Sequence, residues 1–196
     1  MIIDISAYNG DIDFNELFAN NDIQKVILRS TTFNGAPDTK LSTNVSAILK
    51  ADKDIPIDCY KFTYATDYAS AEMEAIELIF TLKNLNLLNI FECFWLDIEP
   101  RQNHIHSKEE ANAIIAAYVH VFKSFDLPLG IYCNYSYLKT VIPEWTNSIP
   151  FWLARWNDTL GDIEPFNIYY WQYTDKGELA GINGPVDLSR YVNETI

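Results

Sequence analysis

The chain is short of positive charge. Its 196 residues hold 14 Lys and Arg against 27 Asp and Glu, a formal net charge of -13. Nucleic-acid binding neutralises phosphates with Lys and Arg, and recruitment to an anionic membrane needs the same residues. Neither partner is expected. The sequence also lacks an unbroken apolar run of roughly 18 residues, the length of a spanning helix, so no membrane insertion is expected. The opening "MIIDIS" has no basic segment and no cleavage site, so no signal peptide is read there. Cysteine is scarce and odd in number. Cys59, Cys93 and Cys133 lie far apart, each in an apolar, strand-like run. That spacing excludes a disulfide framework or a zinc site and predicts buried free thiols. Only three histidines occur. His104 and His106 form a pair, but no further His or Cys lies nearby to complete a metal-ligand set. No metal or cofactor is expected. The first turn, "SAYNGD", is not G-x-G-x-x-G, so a dinucleotide-binding open sheet is disfavoured. No internal repeat, low-complexity segment or linker appears, and residues 1–196 are read as one domain.

What is present is an ordinary globular balance, 48% hydrophobic, with 14% aromatic residues that include 12 Tyr and 5 Trp. Short apolar runs alternate with amphipathic stretches. "MIIDI" reads as a strand, followed by a short helix in "DFNELFANN" with Asp13 and Glu16 spaced as a capping box. "KVILRS" is a second strand, and Leu41, Val45, Ile48 and Leu49 mark one face of a second helix. "IPIDCYKFT" is a third strand. A helix follows over Tyr68 to Asn84, with Glu72 and Glu74 near its start favouring the helix dipole. "FECFWLDIE" is the fourth strand. Ser107 and Glu110 form another capping box, and Ile114, Ile115, Tyr118, Val119 and Phe122 line the buried face of the helix after it. "LGIYCN" is the fifth strand, leading to a short helix that Pro143 ends. "PFWLAR", "IYYWQYT" and "PVDLS" then read as strands joined by loops. Five strand–helix units followed by three strands predict an α/β protein, an irregular TIM-like β/α barrel, because about eight strands close such a barrel.

Four acids fall near strand ends. Asp4 is near the end of the first strand, Asp97 and Glu99 end the fourth, and Asp187 lies in the last. Residues two apart on a strand share a face, with Cα atoms about 6.6 Å apart. Trp95, Asp97 and Glu99 therefore share one side, and Phe94, Leu96 and Ile98 the other. Closure makes the first and last strands neighbours, so Asp4 and Asp187 are expected to meet at the same mouth. Crowded carboxylates drive each other's pKa values apart, as cleavage of a glycosidic bond requires. Glu99, the longer side chain, is read as the general acid and Asp97 as the ionised partner. Spacing alone leaves open a Mg or Ca site and two solvated acids at a loop start.

The blocks "DISAYNGDIDF", "WLDIEP", "IYCNYSYL", "FWLARW" and "YYWQYTDKGELAGINGPVDLSRY" add a further signal. Together, in this order, they resemble glycoside hydrolase family 25, the Chalaropsis-type lysozymes of phage endolysins and bacterial autolysins. The resemblance runs from Asp4 to about Tyr191. It implies an irregular barrel of eight strands and five helices. It also implies hydrolysis of the β-1,4 bond between N-acetylmuramic acid and N-acetylglucosamine in peptidoglycan. Glu99 takes the acid/base role in that scheme. Asp97 is the second carboxylate, either as nucleophile or as stabiliser of attack by the substrate's own 2-acetamido group. Asp4 and Asp187 position proton and sugar. Tyr60, Tyr132, Trp171 and Gln172 fall in blocks that line the family's groove. A monomer acting on the cell wall follows, released by lysis or exported by a leader outside this chain.

Two departures stand out. Many members have Tyr-His-Phe where this chain has Tyr60, Lys61 and Phe62, and the stretch before it, "DKDIPID", lacks two usual glycines. Both bear on fine specificity around the third strand. Competing readings are a non-catalytic glycan-binding barrel and a metal-dependent hydrolase.

Overall fold

In the computed structural model, residues 1–100, 106–142, 144–145 and 148–192 are described. Five strand–helix pairs come first: β1 (Ile2–Ile5) and α1 (Phe14–Asn20), β2 (Lys25–Arg29) and α2 (Leu41–Ala51), β3 (Ile57–Phe62) and α3 (Tyr68–Asn84), β4 (Phe94–Asp97) and α4 (Lys108–Ser124), β5 (Leu129–Asn134) and α5 (Tyr135–Thr140). Three strands complete the chain: β6 (Phe151–Ala154), β7 (Ile168–Gly177) and β8 (Val186–Tyr191). They form a closed barrel in sequence order. Strands β1 to β7 run parallel, and β8 closes the ring antiparallel to both β7 and β1. The expected irregular barrel is the observed one. Its irregularity is the reversed last strand.

The helices start where local chemistry satisfies their free N–H groups. Asp13 accepts from the N–H groups of Asn15 and Glu16 at the head of α1. Ser107 and Glu110 make the expected reciprocal box on α4, at 3.2 and 2.7 Å. Asp67 and Ser70 make another on α3, unread in the sequence. Pro143, expected to end the fifth helix, and His104 lie outside the described residues.

The strands are buried on both faces, as parallel strands under helices are. Outward residues Phe94, Leu96 and Ile98 join Ile114, Ile115 and Phe122 in the layer between sheet and helices. Inward residues Ile2, Ile27, Trp95, Tyr132, Trp152 and Tyr170 fill the barrel. The two indoles meet edge to face at 6.1 Å. Gly130 makes room for one of them: a Cβ there would lie 2.3 Å from the Trp95 ring. Beneath them Asp58 accepts from Lys25 Nζ (2.7 Å), Trp95 Nε1 (3.0 Å) and the Tyr170 hydroxyl (3.2 Å). The floor of the barrel is thus a satisfied ionic knot, which rigid inward strands need if charge is buried there. Cys59 and Cys133 are buried on the outer face, Cys93 is half-buried against the interior cluster, and all three are free. Burial pushes all three thiols up, which keeps them unreactive. Among the described residues no helix is long and apolar enough to cross a membrane.

Candidate active site

The inward side chains above the indole layer are polar. Asp4 and Asp187 are direct register partners across β1 and β8. Asp187 is the second residue of β8. It reaches the mouth because β8 runs back into the barrel from there, whereas Asp4 and Asp97 reach it at the ends of their strands. The hairpin between β7 and β8 holds this start in place. Its Gly181, at φ 88°, lies so close to α1 that a Cβ would be 2.5 Å from the Asp13 carbonyl, and its own carbonyl accepts the Asp13 N–H at 2.9 Å. Part of the "GINGPVD" block is therefore a close-approach requirement.

Asp97 ends β4 opposite Phe62. It is buried, and its Oδ1 has no hydrogen-bond partner among the described residues. Glu99 follows it, half-buried. All four carboxyls are pushed above the usual carboxylate range, first of all by burial. Next in weight, the charge of Asp187 raises Asp4 and Glu99, and that of Glu99 raises Asp97. Asp4 and Asp187 share a hydrogen bond that raises the first and lowers the second. Within that pair Asp4 is raised further than Asp187, and Asp187 lies close enough to Glu99 for its charge to raise it. Asp97, expected as the ionised partner, is held upward by burial and by Glu99. Among the described residues Lys61 is the charge that opposes this.

Gln172, deep in the barrel, ties the acids to the aromatics. It donates to Asp4 Oδ2 at 3.1 Å. Its Oε1 accepts from the Tyr132 hydroxyl at 2.9 Å and from Trp156 Nε1 at 3.2 Å. Tyr132 lies against Trp152 at 4.4 Å, and Tyr60 meets the same indole at 6.2 Å. Burial, and then the nearby carboxylates Asp4 and Asp97, push the Tyr60 hydroxyl up. Tyr60, Tyr132 and Gln172 are thus brought together with the acids. Trp171 is not. Its neighbours Tyr170 and Gln172 face inward, and its own indole lies outside the barrel, 4.3 Å under the Arg190 guanidinium and bonded to the Arg155 carbonyl at 2.8 Å.

Several residues at the mouth were not read as site residues. Trp156 sits one residue past the strand-like run "PFWLAR" and reaches Gln172. Phe62 shares the inward face of Tyr60 by simple alternation. Arg29, on the same rim, is paired with Asp38 at 2.6 Å and lies 4.6 Å from the exposed Tyr8 ring. Lys61 points away from the barrel interior and pairs with Glu74 of α3 at 3.0 Å. His106 spends both ring nitrogens within the protein. Its Nε2 donates to the Ala65 carbonyl (3.2 Å) and its Nδ1 accepts from the Tyr137 hydroxyl (2.9 Å), leaving no lone pair for a metal. Among the described residues no group of three or more His, Cys, Asp or Glu is arranged to hold a metal ion.

Comparison with known proteins gives three kinds of match. The sequence model described as glycosyl hydrolases family 25 matches residues 3–182. The uncharacterized protein YegX of Escherichia coli K12 is 30% identical over 94 residues, which is 48% of this chain and 34% of YegX. Among solved structures, the modular autolysin LytC of Streptococcus pneumoniae superposes with a TM-score of 0.84 at 27% identity, over 96% of this chain and 45% of its own. LytC has also been solved in complex with a synthetic peptidoglycan ligand. The catalytic domain of endolysin ply40, from bacteriophage P40 of Listeria monocytogenes, superposes with a TM-score of 0.79 at 22% identity, over 98% of this chain and 93% of its own. The chain spans about a third of YegX and under half of LytC.

Proposed function

The chain belongs to glycosyl hydrolase family 25, and on that footing we propose that it hydrolyses peptidoglycan as a muramidase. The bond cut is the β-1,4 link between N-acetylmuramic acid and N-acetylglucosamine. The observation that supports this most is the convergence of Asp4, Asp97, Glu99 and Asp187 on one mouth: Asp4 and Asp187 pair in register across the closing strands, and Asp97 ends β4 with Glu99 two residues on. A carboxyl whose pKa burial and a neighbouring acid push upward, as they do for Glu99, suits a general acid for the leaving sugar oxygen. Asp97 offers a buried acceptor oxygen that has no donor among the described residues. The N–H of the substrate's 2-acetamido group is a fitting donor. A bond from it lowers the Asp97 pKa and turns the acetamido oxygen toward the anomeric carbon. Asp4 holds Asp187, and Gln172 holds Asp4.

The Glu99→Gln variant tests the reading. It keeps the shape of the side chain and removes the proton. Release of reducing ends from purified cell walls should fall by about 10²–10⁴-fold, the usual contribution of a general acid. The new reducing sugar should be muramic acid. Wild-type rates in the variant, or glucosamine at the new reducing end, would refute it.

A further inference from the structure

We propose that the mouth carries an aromatic platform on its β2–β3 side, formed by Phe62, Tyr64 and Phe33. It binds a further N-acetylated sugar ring of the glycan strand, beyond the bond that is cut. The proposal rests on the muramidase reading for the direction in which the strand crosses the acids.

The platform begins at the acids. Phe62 is the register partner of Asp97 and faces the same interior. Its ring lies 5.0 Å from that of Tyr64, which lies 6.2 Å from that of Phe33. The three rings contact one another in succession, starting at the register partner of Asp97, and exposure rises along the series. Phe62 is half-buried, Tyr64 is 43% exposed and Phe33 is 71% exposed. Large apolar rings left in water beside a polar cleft mark a ligand groove. Their flat faces suit the apolar C–H faces of a sugar, and the polar rim suits its hydroxyl and acetamido groups. A neutral sugar ring also suits a mouth that already holds four carboxyls better than an anionic ligand does.

The two loops that present these rings are held firmly. The loop after β2 is closed by the Thr31–Pro37 bridge, by Thr32 N–H to the Ala36 carbonyl at 2.8 Å and by the Thr32 hydroxyl to Asn34 at 2.6 Å. Phe33 sits at its tip. The loop after β3 is held by Glu74, which accepts from the Thr63 hydroxyl at 2.6 Å, the Tyr64 N–H at 3.1 Å and the Tyr118 hydroxyl at 3.0 Å. Lys61 joins the loops: its ammonium pairs with Glu74 at 3.0 Å, donates to the Thr32 carbonyl at 3.2 Å and lies 5.5 Å from the Tyr64 ring. Rings fixed before the ligand arrives cost less to order on binding. Lys61, which replaces a histidine of many relatives, is thus a positioning residue for this wall.

The test uses the full chain carrying Glu99→Gln, so that glycan is bound without turnover, which product analysis verifies separately. Disaccharide and hexasaccharide fragments of peptidoglycan glycan strands are titrated calorimetrically. Phe33→Ala and Tyr64→Ala should each weaken the hexasaccharide about tenfold, about 1.4 kcal/mol. The hexasaccharide-to-disaccharide affinity ratio should fall accordingly. Tyr64→Phe should keep that ratio, because the ring remains. Phe80→Ala, an exposed ring on the outer face of α3, should leave both affinities unchanged. Unchanged hexasaccharide binding, equal weakening of both fragments, or no glycan binding at all would overturn the platform. Cleavage by the Glu99→Gln chain at the wild-type rate would instead overturn the muramidase reading, and the platform would then be read as the hexasaccharide-to-disaccharide ratio of kcat/KM in the same ring variants.

Discussion

Gln172 is the best place to test how the mouth is held together. It makes three side-chain hydrogen bonds: to Asp4, from Tyr132 and from Trp156. Replacement by Leu keeps most of the volume and removes all three. The losses are unequal. Trp156 is 57% exposed, so water replaces its partner at little cost. Asp4 and Tyr132 are 7% and 8% exposed, and each has an oxygen left without its Gln172 partner. A stranded buried polar group costs about 1–3 kcal/mol, so Gln172→Leu should lose about 2–6 kcal/mol. Tyr132→Phe alone leaves Gln172 Oε1 with the Trp156 donor and should lose only about 0.5–1.5 kcal/mol. The double variant decides the matter. Once Gln172 is gone, the Tyr132 hydroxyl has no partner, so removing it relieves a penalty instead of adding one. The cycle should show a coupling of about 1.5–4.5 kcal/mol, the relieved penalty plus the single-variant loss that no longer applies. The assay is urea unfolding, with shifts in midpoint at an unchanged slope. Additivity within about 0.5 kcal/mol would mean that the Tyr132–Gln172 bond contributes nothing, and the reasoning would fail.

Two further outcomes follow from the acid cluster. Asp187→Asn removes a charge that raises Glu99. The Glu99 pKa then falls, and the alkaline limb of kcat/KM should move to lower pH; an unmoved limb would dissociate the two residues. The second concerns stability. Asp4 has a folded pKa raised above its unfolded value of about 3.9, so the folded chain holds a proton that the unfolded chain has lost. Its contribution is fully present below the unfolded value and is lost as pH rises through the folded one. Asp4→Asn can keep both hydrogen bonds while ending the titration. Its urea midpoint should match wild type near pH 4 and exceed it increasingly toward pH 8, and a wild-type advantage that grows with pH would contradict the shift.

Much of this was legible in the residues. Five strand–helix alternations and three terminal strands, all with apolar runs, admit barrel closure, and the register that follows brings Asp4 to Asp187. The D-x-E spacing placed Asp97 and Glu99 on one side. The reversal of β8 was not legible, because a short loop with glycines in "KGELAGINGPVD" shows a hairpin only if its flanking runs are known to pair. Nor was the role of Glu74. Its place near the head of α3 reads as a favourable dipole contact, yet it is spent on Lys61, Thr63, Tyr64 and Tyr118. That network is built from residues distant in sequence and leaves no periodic trace.

Trp171 shows where strand reasoning stops and what would extend it. Period-two alternation divides a strand into two faces but does not say which face is inward, and in this barrel both faces are apolar and buried. An exposed sheet would settle the phase by its polar side; here a polar residue in a doubly buried strand has to do so. In β4 that marker is Asp97, whose charge has no place under the helices, and Trp95 follows it inward. In β7 the marker is Gln172, an amide that needs several partners. Only the mouth supplies them, in Asp4, Tyr132 and Trp156. Once Gln172 is inward, Tyr170 is inward with it and Trp171 must face out, against Arg190. β3 carries two buried polar residues on opposite faces: Asp58, bonded to Lys25, Trp95 and Tyr170 inside the barrel, puts Tyr60 and Phe62 toward the acids, and Lys61 faces outward only because Glu74 of α3 pairs with it there. The polar residue of each buried strand, more than its largest aromatic, tells which rings can meet a ligand.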